Sequence, residues 1–354
     1  MKKMGMILIF LIVFSTCASA SAAPKQTFIP IDVINNTTQA YPLTDQSTLL
    51  VDHLNNTLRV VDLNTQEALW SKTYTPIYDY YVLSNPVKIV VITADNNLPK
   101  KIVLSPNGTL LSQQSFPNIK LNGIQDICWS PASSGGKERL IVSSSDRILL
   151  YQSPWKKASS SIPIAVSGDK EYELTIVKDI QAQFPYVVVK LNGDNSTQSQ
   201  DLYRIIDVAT KKKITVAADW NVSSNFALEG KELVMYTSSI QGFPMGINPG
   251  QKYTVFARYD VKTGAPVVKL TRSFNNSEAN WRTSYIQSRL ILSDSDNPTT
   301  FAMYNKEATL VKEAQSTANA NTMKSQPIGY NNSQLFLLTP SGEGKAQIAA
   351  VSLN

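Results

Sequence analysis

Cysteine and histidine are almost missing from this chain: 354 residues hold 2 Cys and 1 His. A single histidine excludes multi-histidine metal sites. It leaves His53 alone to serve any Ser-His-Asp arrangement, and no Gly-x-Ser-x-Gly elbow accompanies it. The second shortage is charge. Charged residues make up 17% of the chain, and the only basic triplet is Lys211-Lys212-Lys213. Nucleic-acid binding needs a wider basic face, so no nucleic-acid partner is expected. Long hydrophobic runs are absent too. The run from Met6 to Phe14 falls short of the about 20 residues that cross a bilayer, and no later stretch does better, so no membrane span is expected. Outside that run, no segment of ten or more residues carries a convincing helical period.

What is present begins with an export signal. Lys2 and Lys3 precede the apolar run, and small residues follow in Ala18-Ser19-Ala20-Ser21-Ala22-Ala23. A basic head, a short apolar middle and an A-x-A end predict cleavage after Ala20, Ala22 or Ala23. Residues 1–23 are therefore read as the signal and 24–354 as one domain outside the cytoplasm. Cleavage removes Lys2 and Lys3 and lowers the formal charge from +6 to +4. The alternative is a lipid anchor on Cys17, but Phe14-Ser15-Thr16-Cys17 matches a lipidation box poorly. Without Cys17, Cys128 has no partner for a disulfide, and a chain of roughly 330 residues can bury a core without one. Its setting, Asp126-Ile127-Cys128-Trp129, predicts a buried, inert thiol. So little cysteine suits a bacterial exported protein.

Along the rest of the chain an apolar triplet recurs seven times. The triplets are Leu49-Leu50-Val51, Ile89-Val90-Val91, Leu140-Ile141-Val142, Val187-Val188-Val189, Leu233-Val234-Met235, Leu290-Ile291-Leu292 and Leu335-Phe336-Leu337. Each is followed by a second strand-like run, ending near Asp62, Ser105, Gln152, Asp207, Asp260, Asn305 and Ser352. Those ends are 43, 47, 55, 53, 45 and 47 residues apart, close to one four-stranded propeller blade per interval. A uniformly apolar strand is one buried on both faces, as the second strand of a blade is between its neighbours.

The predicted architecture is an all-β, seven-bladed β-propeller. Its blades run from Gln39 to Thr75, Ile77 to Asn118, Asp126 to Ser167, Glu171 to Asp219, Asn225 to Phe274, Trp281 to Thr317 and Lys324 to Asn354. The last is one strand short, while Thr27-Phe28-Ile29-Pro30-Ile31-Asp32-Val33 has no partner. This N-terminal strand is expected to complete the seventh blade as its outer edge, where Pro30 costs no ladder bond. An eight-bladed ring and a pair of β-sandwiches are the alternatives.

Three turns add residue-level detail. Asp62-Leu63-Asn64-Thr65-Gln66-Glu67-Ala68-Leu69-Trp70, Asp207-Val208-Ala209-Thr210 and Asp260-Val261-Lys262-Thr263-Gly264 follow a strand with Asp, then Thr, then Gly or a substitute. This resembles the repeat of quinoprotein-like and WD40-like bacterial propellers. The resemblance implies a superfamily architecture and no particular activity. Quinone-dependent dehydrogenases of this kind carry an extra blade and an adjacent Cys pair, both missing here, so no cofactor is expected.

Candidate chemistry is sparse. Asp294-Ser295-Asp296-Asn297 could offer oxygen ligands to calcium, but it lacks the glycine and distant Glu of an EF-hand loop, and a tight turn is the preferred reading. His53 is read as a hydrogen-bonded turn histidine. Between Ser238 and Tyr253 a loop far longer than an ordinary hairpin sets Phe243, Met245 and Ile247 among Gly and Pro. Trp220 and Trp281 stand in blade-to-blade connections that open on the same side. With Tyr78 they form a candidate aromatic rim for a sugar or peptide, although blade-edge packing explains each equally well. The expectation is a monomeric, secreted, non-enzymatic binding or scaffold protein of the bacterial cell envelope, for a protein or glycan ligand. The alternative is a propeller hydrolase or lyase acting on a carbohydrate or lactone through channel-mouth carboxylates.

Overall fold

The computed structural model describes residues 28–30, 38–121, 123–124, 126–132, 136–165, 174–194, 199–219, 223–237, 250, 252–273, 281–294, 301–314, 326–331, 334–342 and 345–352. Among them there is no helix. A three-residue strand, β1 (Phe28–Pro30), comes first. Blade 1 is β2 (Thr38–Thr44), β3 (Ser47–Asp52), β4 (Thr57–Asp62) and β5 (Glu67–Thr73). Blade 2 is β6 (Ile77–Ser84), β7 (Val87–Asp95), β8 (Leu98–Leu104) and β9 (Leu110–Ser115). Blade 3 is β10 (Asp126–Ser130), β11 (Arg139–Ser143), β12 (Arg147–Gln152) and β13 (Ser160–Pro163). Blade 4 is β14 (Leu174–Gln183), β15 (Tyr186–Asp194), β16 (Ser199–Asp207) and β17 (Lys213–Ala217). Blade 5 is β18 (Ser224–Glu229), β19 (Glu232–Thr237), β20 (Lys252–Asp260) and β21 (Pro266–Ser273). Blade 6 is β22 (Trp281–Ile286), β23 (Arg289–Asp294), β24 (Phe301–Tyr304) and β25 (Leu310–Ala314). Blade 7 holds β26 (Gln326–Tyr330), β27 (Gln334–Gly342) and β28 (Lys345–Ser352). Within each blade consecutive strands pair antiparallel.

The seven apolar triplets are the second strands, and none of their residues is more than 5% exposed. In blades 2 to 7 the two outer residues of each triplet join the core shared with the preceding blade, and the middle one joins the core shared with the next. Ile89 and Val91 thus pack with Leu49 and Val51 of blade 1, while Val90 packs with Leu140 and Val142 of blade 3. Further round, Val188 meets Leu233 and Met235, and Ile291 meets Leu335 and Leu337. Phe336 of blade 7 packs with Leu50 and Val61 of blade 1, so the ring closes on itself. Blade 1 is offset by one residue: its middle residue, Leu50, looks backward, and buried Thr48 takes the place of an apolar neighbour. Each buried Leu, Ile or Val of this kind contributes about 1.5–3 kcal/mol.

First strands lie innermost. β6 touches β2 and β10, β14 touches β10 and β18, and β26 touches β2 and β22. Fourth strands are outermost and largely exposed, as the patterns of β5, β9 and β21 record.

The Asp-x-x-Thr turns join third to fourth strands. The Asp62 carboxylate accepts from the N–H groups of Asn64 (2.8 Å) and Thr65 (2.9 Å). Asp207 and Asp260 do the same for Ala209 and Thr210 and for Lys262 and Thr263. The residue closing each turn is left-handed: Gln66 (φ 60°), Lys211 (φ 61°) and Gly264 (φ 73°). Blade 2 does this with Gly108, whose φ is 81°. These turns also fasten blades together. The Trp70 indole donates to the Pro106 carbonyl (2.7 Å), and a Cβ on Gly108 would sit 2.9 Å from the Trp70 ring. A Cβ on Gly264 would sit 2.5 Å from Ile214 of the preceding blade. Only glycine permits both the φ and the approach.

Candidate functional site

Antiparallel blades put the first-to-second and third-to-fourth turns on one face of the ring. The second-to-third turns and the blade-to-blade connections lie on the other. Of the proposed rim residues on that second face, Tyr78 is the one whose side chain is described. It is half-buried and packs on the core between blades 2 and 3. Burial and the nearby Asp126 push its hydroxyl pKa up. Trp281 opens β22, where its backbone pairs with Asp294. The side chain of Trp281, and all of Trp220, Phe243, Met245, Ile247 and Asp296, lie outside the described residues. Cys128 is 1% exposed, and burial pushes its thiol far up.

His53 stands in the β3–β4 turn, half-buried, its ring 6.0 Å from that of Tyr80. Burial lowers its pKa, and Asp52 opposes this. Asp52 is itself committed: it accepts from Leu54 N–H (3.0 Å), Asn55 N–H (3.2 Å) and the Asn55 amide (2.8 Å). Among the described residues His53 makes no hydrogen bond to a serine or cysteine, so a nucleophile–base pair is not assembled there.

The innermost strands carry what the sequence reading missed. Asp79, Asp126 and Asp179 occupy one register position in three successive blades, each opposite the residue that follows the apolar triplet: Ile92, Ser143 and Lys190. In blades 2 and 4 a bulge lies at this point. Asp79 accepts from its neighbour Tyr80 N–H (2.8 Å) with one oxygen and from Trp129 N–H of blade 3 (2.8 Å) with the other. Asp126 repeats the pattern one blade on, taking Ile127 N–H (2.8 Å) and Ile180 N–H of blade 4 (2.9 Å). Beyond blade 4, Gln181 replaces the carboxylate. It donates to the Phe226 carbonyl (3.1 Å) and accepts from Leu228 N–H (3.2 Å). Burial pushes Asp79 up to about 8 and Asp179 up to about 6, and holds Asp126 well above the usual carboxylate range.

Tyrosines share this wall. Tyr41 meets Tyr80 edge-on with centroids 6.0 Å apart, and the Tyr80 hydroxyl donates to Gln39 Oε1. Tyr236 lies 5.8 Å from Tyr285, whose hydroxyl donates to Glu229 (2.9 Å). The signal available in the sequence was an Asp inside an otherwise apolar or aromatic first strand, as in Ile77-Tyr78-Asp79-Tyr80. Among the described residues no three His, Cys, Asp or Glu side chains are arranged to hold a metal ion.

No protein-family model and no curated protein matches the chain. Solved structures of WD40-like propeller form do. One is BBS1N in complex with ARL6DN, 11% identical over 91% of this chain and 93% of that one, with a TM-score of 0.47. A second is KlHsv2 with loop 6CD replaced by a Gly-Ser linker, 11% identical over 86% and 90%, TM-score 0.43. A third, Kluyveromyces lactis Hsv2 with loop 6CD complete, is 11% identical over 88% and 98%, TM-score 0.41. The class, a seven-bladed β-propeller, is defined by the chain's own seven sheets, and the likeness concerns the fold alone.

Proposed function

We propose that this chain is an exported, non-enzymatic binding or scaffold propeller of a bacterial cell envelope, acting as a monomer on a protein or glycan ligand. The observation that carries this reading is how the channel carboxyl groups are used. Asp79 and Asp126 each spend one oxygen on the N–H of the next residue in their own strand and the other on an N–H of the next blade, which is structural work. His53 contacts Tyr80 and not these carboxyls. Export rests on the signal at residues 1–23, with a lipid anchor at Cys17 as the alternative.

The ring is fastened by its own N-terminus. The register Phe28↔Gln347, Ile29↔Ala346, Pro30↔Lys345 supports β1 as the fourth, outer strand of blade 7. That arrangement covers an edge that would otherwise stay open, and a proline suits it. The ligand face is the one that carries Tyr78, Trp220, Trp281 and the loop with Phe243, Met245 and Ile247.

The test is a glycan-array and pull-down screen with residues 24–354, repeated with Phe243→Ser/Met245→Ser. Lost binding at unchanged Tm supports the loop as the contact; retained binding removes it. Three half-buried carboxyls on adjacent blades favour the hydrolase or lyase as the second reading. Turnover of a carbohydrate or lactone panel that vanishes in Asp179→Asn, with ligand binding kept, would replace the first reading by the second.

A further inference from the structure

We propose that the aspartates of blades 2 to 4 form a proton-operated fastening: a proton shared between Asp126 and Asp179 holds two blades together, and its loss loosens them. The geometry makes the proton necessary. Asp126 reaches across the blade boundary to Ile180 N–H at 2.9 Å. Asp179 is the residue before Ile180, and its own carboxyl turns to that same N–H and to the Asp126 side chain. Besides this shared N–H the pair has the Ile127 N–H, which Asp126 accepts at 2.8 Å, and backbone donors carry no net charge to offset two carboxylates. Two carboxyl groups that bond to each other must hold a proton between them, because both ionised forms only accept.

The surroundings do not supply enough positive charge instead. The cation facing Asp179 is Lys190 on β15, but its ammonium is already bonded to the Ser224 carbonyl (2.5 Å) and to Asp201 (3.2 Å). The other titratable groups that face the pair are Asp79 on β6 and Cys128 on β10, with Tyr78 of β6 beside Asp126, Tyr80 of β6 and Tyr236 of β19 beside Asp179, and Tyr203 of β16 further out. All of these are neutral or negative. Burial outweighs the backbone donors and pushes the three carboxyls up, Asp179 to about 6 and Asp79 to about 8.

The sign follows from those directions. A folded-state pKa above the unfolded value means that the fold retains protons the unfolded chain gives up. The contribution is complete below the unfolded value near 4 and falls as pH climbs through about 6 for Asp179 and about 8 for Asp79; the proton that remains between Asp126 and ionised Asp179 leaves only as pH climbs through the raised Asp126 value. Carboxylates paired with cations add stability as pH rises from about 1 to 5; these aspartates withdraw it at higher pH.

The experiment is Tm against pH from 5 to 9 for the mature chain, Asp179→Asn and Asp126→Asn, with backbone amide exchange at Ile180 and Trp129. The wild type should fall by ~5 °C or more across the range. Asp179→Asn should match it near pH 5 and exceed it at pH 9, with Ile180 protected throughout. If the variants do not fold, infrared difference spectra of the wild type decide: a protonated-carboxyl band present at pH 5 should disappear by pH 9. A flat wild-type profile, variants that track the wild type, or no such band at pH 5 would each overturn the proposal.

Discussion

The second strand and the first strand of a blade lie side by side, yet they behave as opposites. Second strands repeat nearly the same content seven times, all apolar and none of it more than 5% exposed within the triplets. First strands differ from blade to blade: Asp79-Tyr80-Tyr81 in one, Asp126-Ile127-Cys128 in the next, Asn225-Phe226-Ala227 later. Position explains the contrast. The triplet of a second strand is pressed on both faces by neighbouring blades, so a charge placed there would lose water without gaining a partner, whereas polar side chains at the strand ends, such as Thr93 and Ser143, donate to nearby carbonyls. First strands lie directly against one another at the centre of the ring, where the backbone N–H groups of the next blade offer partners. Polar residues survive there because they are used between blades, and variation in them changes the channel without dismantling the ring.

Substitutions can break or sharpen this comparison. The largest effect should come from a charge in a second strand. Val188→Asp puts a carboxylate in a site with no exposed surface among Leu233, Met235 and Tyr203. A loss of at least ~4 kcal/mol is expected, read as aggregation or loss of folded protein. A mid-sized effect should follow Gln181→Ala, which removes two bonds between β14 and β18. Urea unfolding should show a loss of about 1–3 kcal/mol. The smallest belongs to Tyr285→Phe. It withdraws one hydroxyl from Glu229 at a solvent-facing site, so less than ~1 kcal/mol should be lost. If Tyr285→Phe proved as damaging as Val188→Asp, the division between framework and channel would fail.

The same contrast explains what could be read in advance. The framework was legible because burial on two faces writes a uniform signal. Leu140-Ile141-Val142 can be little else than a strand between two blades, and the predicted blade limits fall within a few residues of the observed ones. The one-residue offset of blade 1 was not legible, since Leu49, Leu50 and Val51 fit either register and only packing against Phe336 and Val91 decides. Turn chemistry was half legible. Gly264 declared a left-handed position, but Gln66 and Lys211 adopt the same backbone without the residue that advertises it. The aspartate fastening was hidden. Asp79, Asp126 and Asp179 lie far apart in sequence, and only the ring sets them on adjacent strands at one level.

We propose that the N-terminal strand closes the ring, and a single cross-link tests that directly. In an Ile29→Cys/Ala346→Cys variant the new thiols stand at paired positions of β1 and β28, while the buried Cys128 stays out of reach of oxidant. Mild oxidation of folded residues 24–354 should give an intramolecular disulfide, a compact band on non-reducing gels and a higher Tm. Thiols that stay free, or that pair only between molecules, would contradict a ring fastened by its own N-terminal strand.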